Sequence, residues 1–213
     1  MIISRGRKYV FVHIPKTGGT ALTLALEARA MRDDILIGDT PKARARLARN
    51  KANPATAHLR KHTPLAQIGA LLADDYFCFT LVRNPWDRLV SYYHWLRAQN
   101  FAHPAVSLAK SVDFTGFLND GATQAALAAW PAQAYMRDAK GVDRANAYVR
   151  LEHLQQDLAQ IEAYLGFSLG PMARQNMSLR DRDWRKYYTD DGAAIISRIC
   201  HADISAFNYH FDP

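Results

Sequence analysis

An apolar run that halts at a glycine-bearing loop and restarts as a helix constrains this chain more than any other stretch. Residues 8–14 (KYVFVHI) are β-branched and aromatic with almost no polar interruption, the pattern of a strand buried on both faces of a parallel sheet. Pro15 ends the run, and from Thr20 to Met31 Ala, Leu and Thr recur at helical spacing. The same order returns at 75–100. Tyr76–Val82 (YFCFTLV) reads as a second buried strand, Arg83–Pro85 as a turn and Trp86–Gln99 as a helix, with Asn84 as N-cap and Pro85 as first helical residue. A third, short strand is expected at Ala147–Leu151, then a helix from about Gln155 to Leu165 closed by Gly166. Strands alternating with helices predict a three-layer α/β/α fold on a central parallel sheet. The segments 105–140 and 172–213 read as mainly helical, and the length fits one domain over residues 1–213.

The first loop, Pro15-Lys16-Thr17-Gly18-Gly19-Thr20, points backbone N–H groups and a positive helix end at one spot, which suits a phosphate. Gly18 and Gly19 allow close approach of the backbone. Lys16 adds a cation, and Thr17 and Thr20 can donate hydroxyl hydrogen bonds. The nucleotide-triphosphate loop GxxxxGK[ST] places its lysine after the last glycine. Here the lysine precedes both glycines, and Gly-Lys-Ser/Thr occurs nowhere in the chain.

The stretch HIPKTGGTA, His13 to Ala21, resembles the 5′-phosphosulfate loop of sulfotransferases that use 3′-phosphoadenosine-5′-phosphosulfate (PAPS). It is most similar to the carbohydrate sulfotransferase group and its small bacterial members. The resemblance implies a P-loop-like sulfotransferase fold, with Pro15 to Ala21 around the 5′-phosphosulfate and Lys16 also catalytic. The stretch TLVRNPWDRLVSYYHW, Thr80 to Trp95, resembles the family's second signature, in which an arginine and a serine hold the 3′-phosphate. By position these are Arg83, at a strand end where open α/β sheets bind ligands, and Ser91. Ser91 falls on roughly the opposite side of the helix from the stripe of Trp86, Leu89, Val90, Tyr93 and Leu96. The tail HADISAFNYHFD also resembles the small bacterial members, whereas the likeness between Ala102 and Asn146 is patchy.

Sulfuryl transfer needs positioning, charge stabilisation and a base for the attacking hydroxyl. Lys16 is the residue to stabilise charge on the bridging and leaving oxygens. His58 and His62, in AHLRKHTP, lie in a position that resembles the one where the family's carbohydrate enzymes place a catalytic histidine. His62 is favoured for its KHTPLAQI context and His58 comes second. Without an HExxH glutamate or a cysteine cluster the pair does not read as a zinc site, and no metal is expected. Late in the chain Arg180, Arg182, Arg185 and Lys186 resemble a segment that closes over the cofactor, with no ground for choosing among them.

The balance of 27 Lys and Arg against 20 Asp and Glu gives +7, which favours anionic partners without naming one. The five cations of Lys42 to Lys51 read as a solvated helix face in preference to an anion guide. Cys78 and Cys200 are too few for a disulfide framework, and no stretch is long and apolar enough to span a membrane. The expectation is therefore a cytoplasmic enzyme moving a sulfuryl group from PAPS to a hydroxyl-bearing acceptor, carbohydrate or small molecule and possibly anionic. The product is adenosine 3′,5′-bisphosphate. An ATP-dependent phosphotransferase and a non-catalytic binder of anions or nucleic acid are the alternatives, the latter opposed by the lack of any nucleic-acid signature. The acceptor and the oligomeric state are unread.

Overall fold

The computed structural model describes residues 1–172 and 180–212. They fall into two compact units, Met1–Val82 with Ala132–Gln175, and Arg83–Pro131 with Asn176–Pro213.

The first unit is built on five strands: Ile2–Ser4 (β1), Tyr9–Val12 (β2), Ile35–Leu36 (β3), Phe77–Val82 (β4) and Ala145–Arg150 (β5). Their order in the sheet is β3-β1-β2-β4-β5. The strands foreseen from the sequence, β2, β4 and β5, are parallel to one another. At one edge of this parallel core β1 and β3 add two strands that run antiparallel. Strands of three and two residues are too short to show a period, which is why they escaped notice.

Register explains the composition of the long strands. Tyr9 pairs with Phe77, Phe11 with Phe79 and Val12 with Thr80. Tyr9, Phe11, Phe79, Leu81, Ala147 and Val149 join one core with Leu22 and Leu26 of the Gly19–Ala28 helix and Leu158 and Ile161 of the Leu154–Leu165 helix. The alternate residues Val10, Val12, Cys78 and Thr80 are equally buried, and the Ala132–Met136 helix packs on β4. Both faces of β2 and β4 are covered, so these strands carry no polar alternation, whereas β5 alternates buried Ala147 and Val149 with less buried Asn146, Tyr148 and Arg150. Cys78 is a buried free thiol whose pKa burial pushes up to about 11.

The first helix stops at Ala28, three residues short of the expected Met31. A competing turn ends it: the Met31 N–H donates to Asp34 Oδ2 at 2.7 Å. The basic run, exposed at Lys42, Arg44, Arg49 and Lys51, also takes a structural role through three of its cations. Arg46 donates to the Asp34 and Met31 carbonyls, Arg49 to those of Arg32 and Asp34, and Lys42 to that of Glu27. These cations add hydrogen bonds to carbonyls of the turn that follows the helix, two of which, Glu27 and Met31, also accept from the Ala30 and Asp34 N–H groups.

The second unit is helical. Its main helix, Pro85–Arg97, begins as the sequence predicts, with Asn84 Oδ1 accepting from the Trp86 and Asp87 N–H groups and Pro85 in the first turn. The stripe Trp86, Leu89, Val90, Tyr93 and Leu96 is at most 3 % exposed. Trp86 sits in an aromatic cluster with Trp184 and Phe211, its Nε1 donating to the Ala193 carbonyl. The tail is tied to the start of this helix through Asn84 Nδ2 and the His210 carbonyl.

Candidate functional site

In the first unit, β2 runs through His13 and Ile14 into the loop. Lys16 and Gly18 both take left-handed backbone conformations, φ 66° and 83°. A β-carbon on Gly18 would lie 2.8 Å from Leu151 Cδ1, and one on Gly19 would lie 2.5 Å from His13 Cδ2. Glycine is thus required twice, for positive φ and for close packing. The helix that follows has Gly18 as its N-cap and no side-chain cap among the described residues, so no such side chain competes with an anion for its first N–H groups. Pro15, Lys16 and Thr20 are half-buried, and the Ala21 N–H bonds to the Gly18 carbonyl. Thr17 is buried, and its hydroxyl donates to the Ile14 carbonyl at 2.9 Å. That hydroxyl braces the loop from within, which leaves the backbone as the face Thr17 can offer a ligand.

The two histidines of AHLRKHTP part company. His58 ends the short Pro54–Ala57 helix, and its exposed Nε2 bonds to the Gln67 carbonyl at 2.9 Å. His62 belongs to a tight turn in which the Arg60 N–H donates to Thr63 Oγ1 and the Thr63 N–H to the Arg60 carbonyl. The turn is pinned by an ion pair between Lys61 and Asp39 and by the Met1 amine on the Lys61 carbonyl. His62 Nδ1 lies 2.6 Å from the carbonyl oxygen of His13. A carbonyl only accepts, so Nδ1 carries the proton and Nε2 of the neutral ring holds a lone pair. Burial lowers the His62 pKa to about 4, and the nearby Lys61 and terminal amine add to this against the hydrogen bond to His13. The ring is therefore neutral at pH 7.

His13 links these parts. Its carbonyl holds His62, its ring lies edge-on to the His62 ring at 4.9 Å, and the same ring fills the space beneath Gly19. Its Nδ1 is buried without a partner among the described residues, and burial drives its pKa well below the ordinary value. The sequence placed His13 inside the loop motif but gave it no role.

In the second unit, Arg83 donates through Nε and Nη2 to Asp87 Oδ2, at 2.9 and 2.6 Å. Arg180 Nη2 takes the other carboxylate oxygen, Oδ1, at 2.5 Å, and Arg180 Nη1 is buried without a partner among the described residues. Two guanidinium groups thus share one carboxylate, which leaves a net positive charge one helical turn before Ser91. Ser91 is only 7 % exposed. The face opposite the apolar stripe is covered as well, because Arg180 reaches Asp87 and Tyr187 stacks edge-on against His94 at 5.1 Å. Among the late cations, Arg185 pairs with Asp183 and Lys186 with Asp181 on the surface. Arg180 alone of the four pairs with Asp87. The role of Asp87 was missed, although its spacing of four residues from Arg83 on a helix start was a usable signal.

Among the described residues no group of three or more His, Cys, Asp or Glu side chains converges on a metal position, and no helix is long and apolar enough to cross a membrane.

A family model described as "Sulfotransferase family" matches residues 1–211. Among solved structures, mouse sulfotransferase SULT7A1 complexed with PAP aligns at a TM-score of 0.53 and 17% identity, over 94% of this chain and 85% of that one. This likeness shows a shared fold. A sulfotransferase from Alicyclobacillus acidocaldarius aligns over 95% of this chain and 89% of its own at 18% identity, with a TM-score of 0.31 that adds nothing to the fold argument. No curated protein matches.

Proposed function

The chain belongs to the sulfotransferase family, and on that premise we propose that it transfers the sulfuryl group of PAPS to a hydroxyl acceptor and releases adenosine 3′,5′-bisphosphate. The observation that carries the reading is the loop: left-handed Lys16 and Gly18, two glycines that admit no β-carbon, and an uncapped helix start. Together these fit a phosphosulfate held by backbone N–H groups. The match over residues 1–211 takes in both compact units, which supports reading them as one catalytic domain. Two free cysteines fit a reducing, cytoplasmic setting.

We assign the 5′-phosphosulfate to Pro15 to Ala21, with Lys16 offsetting charge on the bridging and leaving oxygens. The 3′-phosphate falls to Arg83 and Ser91, and Arg180 joins them. The net positive charge around Asp87 and the unpartnered Nη1 of Arg180 support that assignment. His62 is the base. Its neutral ring, with Nδ1–H fixed by the His13 carbonyl, offers the Nε2 lone pair to an acceptor hydroxyl. His58, held by Gln67 on the surface, takes second place. The acceptor is a carbohydrate or small molecule.

Thermal unfolding with three ligands tests the reading. Adenosine 3′,5′-bisphosphate at 100 times its Kd adds about 2.7 kcal/mol, while ATP with magnesium and a short oligonucleotide add nothing comparable. Stabilisation by ATP with magnesium alone, or by the oligonucleotide alone, overturns the proposal.

A further inference from the structure

We propose that a cleft on the second unit, between the Pro85–Arg97 helix, residues 110–115 and the Trp184–Tyr187 turn, binds a ring-bearing organic anion: a carboxylate or sulfate carried on an aromatic or sugar ring. The cleft measures about 580 Å³, within the range of small-molecule sites. Its floor is aromatic. Phe114 stands edge-on to Tyr93 at 5.5 Å and to Tyr187 at 5.9 Å, and the half-buried Tyr187 offers an aromatic surface to a planar ring or the apolar side of a sugar.

The rim is cationic. Arg97, Lys110 and Lys186 line it against a single carboxylate, Asp113. Asp113 is engaged within the fold, its Oδ1 capping the Phe114–Asn119 helix through the Gly116 N–H at 2.8 Å. Lys186 has a surface partner in Asp181, whereas Lys110 donates to the neutral Asn100 Oδ1. The Arg97 guanidinium lies 5.6 Å over the Tyr93 ring and makes no ion pair among the described residues. His94 adds a second polar feature: its Nε2 is buried and has no hydrogen-bond partner among the described residues. Three cations on the rim, rings beneath them and an unpartnered imidazole nitrogen call for an acid group joined to a ring. Arg83, Ser91 and Arg180 do not line the cleft, although the Arg180 charge acts on His94 from nearby.

The cleft and its preference for anions are independent of the sulfotransferase reading. Calorimetric titration of the full chain tests the proposal. The probes are 4-hydroxybenzoate and methyl glucuronide, with 4-hydroxybenzyl alcohol and methyl glucoside as their neutral counterparts. At least one anion binds tenfold or more tightly than its counterpart, and the preferred anion tells aromatic from sugar. The double variant Arg97→Gln with Lys110→Gln weakens that binding tenfold or more while the affinity for adenosine 3′,5′-bisphosphate stays unchanged. Saturating bisphosphate leaves the anion bound. Failure of both anions, equal binding of the neutral compounds, an undiminished affinity in the variant, or displacement by the bisphosphate each overturns the proposal. A wild-type protein that binds the anion but no bisphosphate refutes the sulfotransferase reading and leaves the cleft standing.

Discussion

Replacing His62 with asparagine converts the buried imidazole into a measurable dependence of stability on acid. An unfolded histidine takes up a proton near pH 6.5, whereas His62 in the fold resists until about pH 4 because burial disfavours its charged form. Above pH 6.5 both states are neutral and the ring contributes no pH dependence. Below it the unfolded chain binds a proton that the folded chain refuses, and each pH unit down to about 4 costs about 1.4 kcal/mol. From pH 7.5 to 4.5 the His62 contribution comes to about 2.5 kcal/mol of lost stability. Asparagine keeps an N–H donor for the His13 carbonyl and does not titrate, so H62N lacks this term, while His13 remains in both proteins and subtracts out. Urea unfolding of both proteins at pH 7.5 and pH 4.5 measures it. The wild type should lose about 2.5 kcal/mol more than H62N over that interval. Equal losses, within about 0.5 kcal/mol, would refute the claim that His62 is held neutral by burial.

Three further outcomes are expected. H62N also abolishes sulfuryl transfer while its affinity for adenosine 3′,5′-bisphosphate is retained, and His58→Ala transfers near the wild-type rate; a sulfate-transfer assay on both variants checks this, and near-normal turnover in H62N rejects the base. Gly19→Ala drives a β-carbon to 2.5 Å from the buried His13 ring, so it lowers stability by about 1–3 kcal/mol and weakens nucleotide binding, as read by denaturation and titration. Arg83→Ala and Arg180→Ala each weaken bisphosphate binding by about 1.5–3 kcal/mol, the worth of a hydrogen bond to a charged group, whereas Arg182→Ala leaves it unchanged in the same titration.

How much of this was legible in the sequence depended on whether the signal was local. A strand buried on both faces declares itself by composition, so β2 and β4 were read within one or two residues of their ends. Asn84 and Pro85 fixed a helix start because capping is decided within four residues. The loop was legible because left-handed backbone and tight packing need glycine wherever the chain goes next. The antiparallel edge was not, since β1 and β3 have too few residues to carry a pattern and owe their existence to hydrogen bonds with partners far along the chain.

The sequence by itself determined the strand-loop-helix plan, the phosphate-ready loop and the two signatures that resemble a sulfotransferase. Only the tertiary structure decided among residues that look alike along the chain. It put His62 on the His13 carbonyl and His58 on the surface, and it paired Arg180, out of four late cations, with Asp87. It also turned the Thr17 hydroxyl inward and set Lys42, Arg46 and Arg49 on backbone carbonyls of residues 27–34. A histidine's charge or an arginine's partner is set by burial and by groups tens of residues distant, and neither quantity is written in the spacing of neighbours.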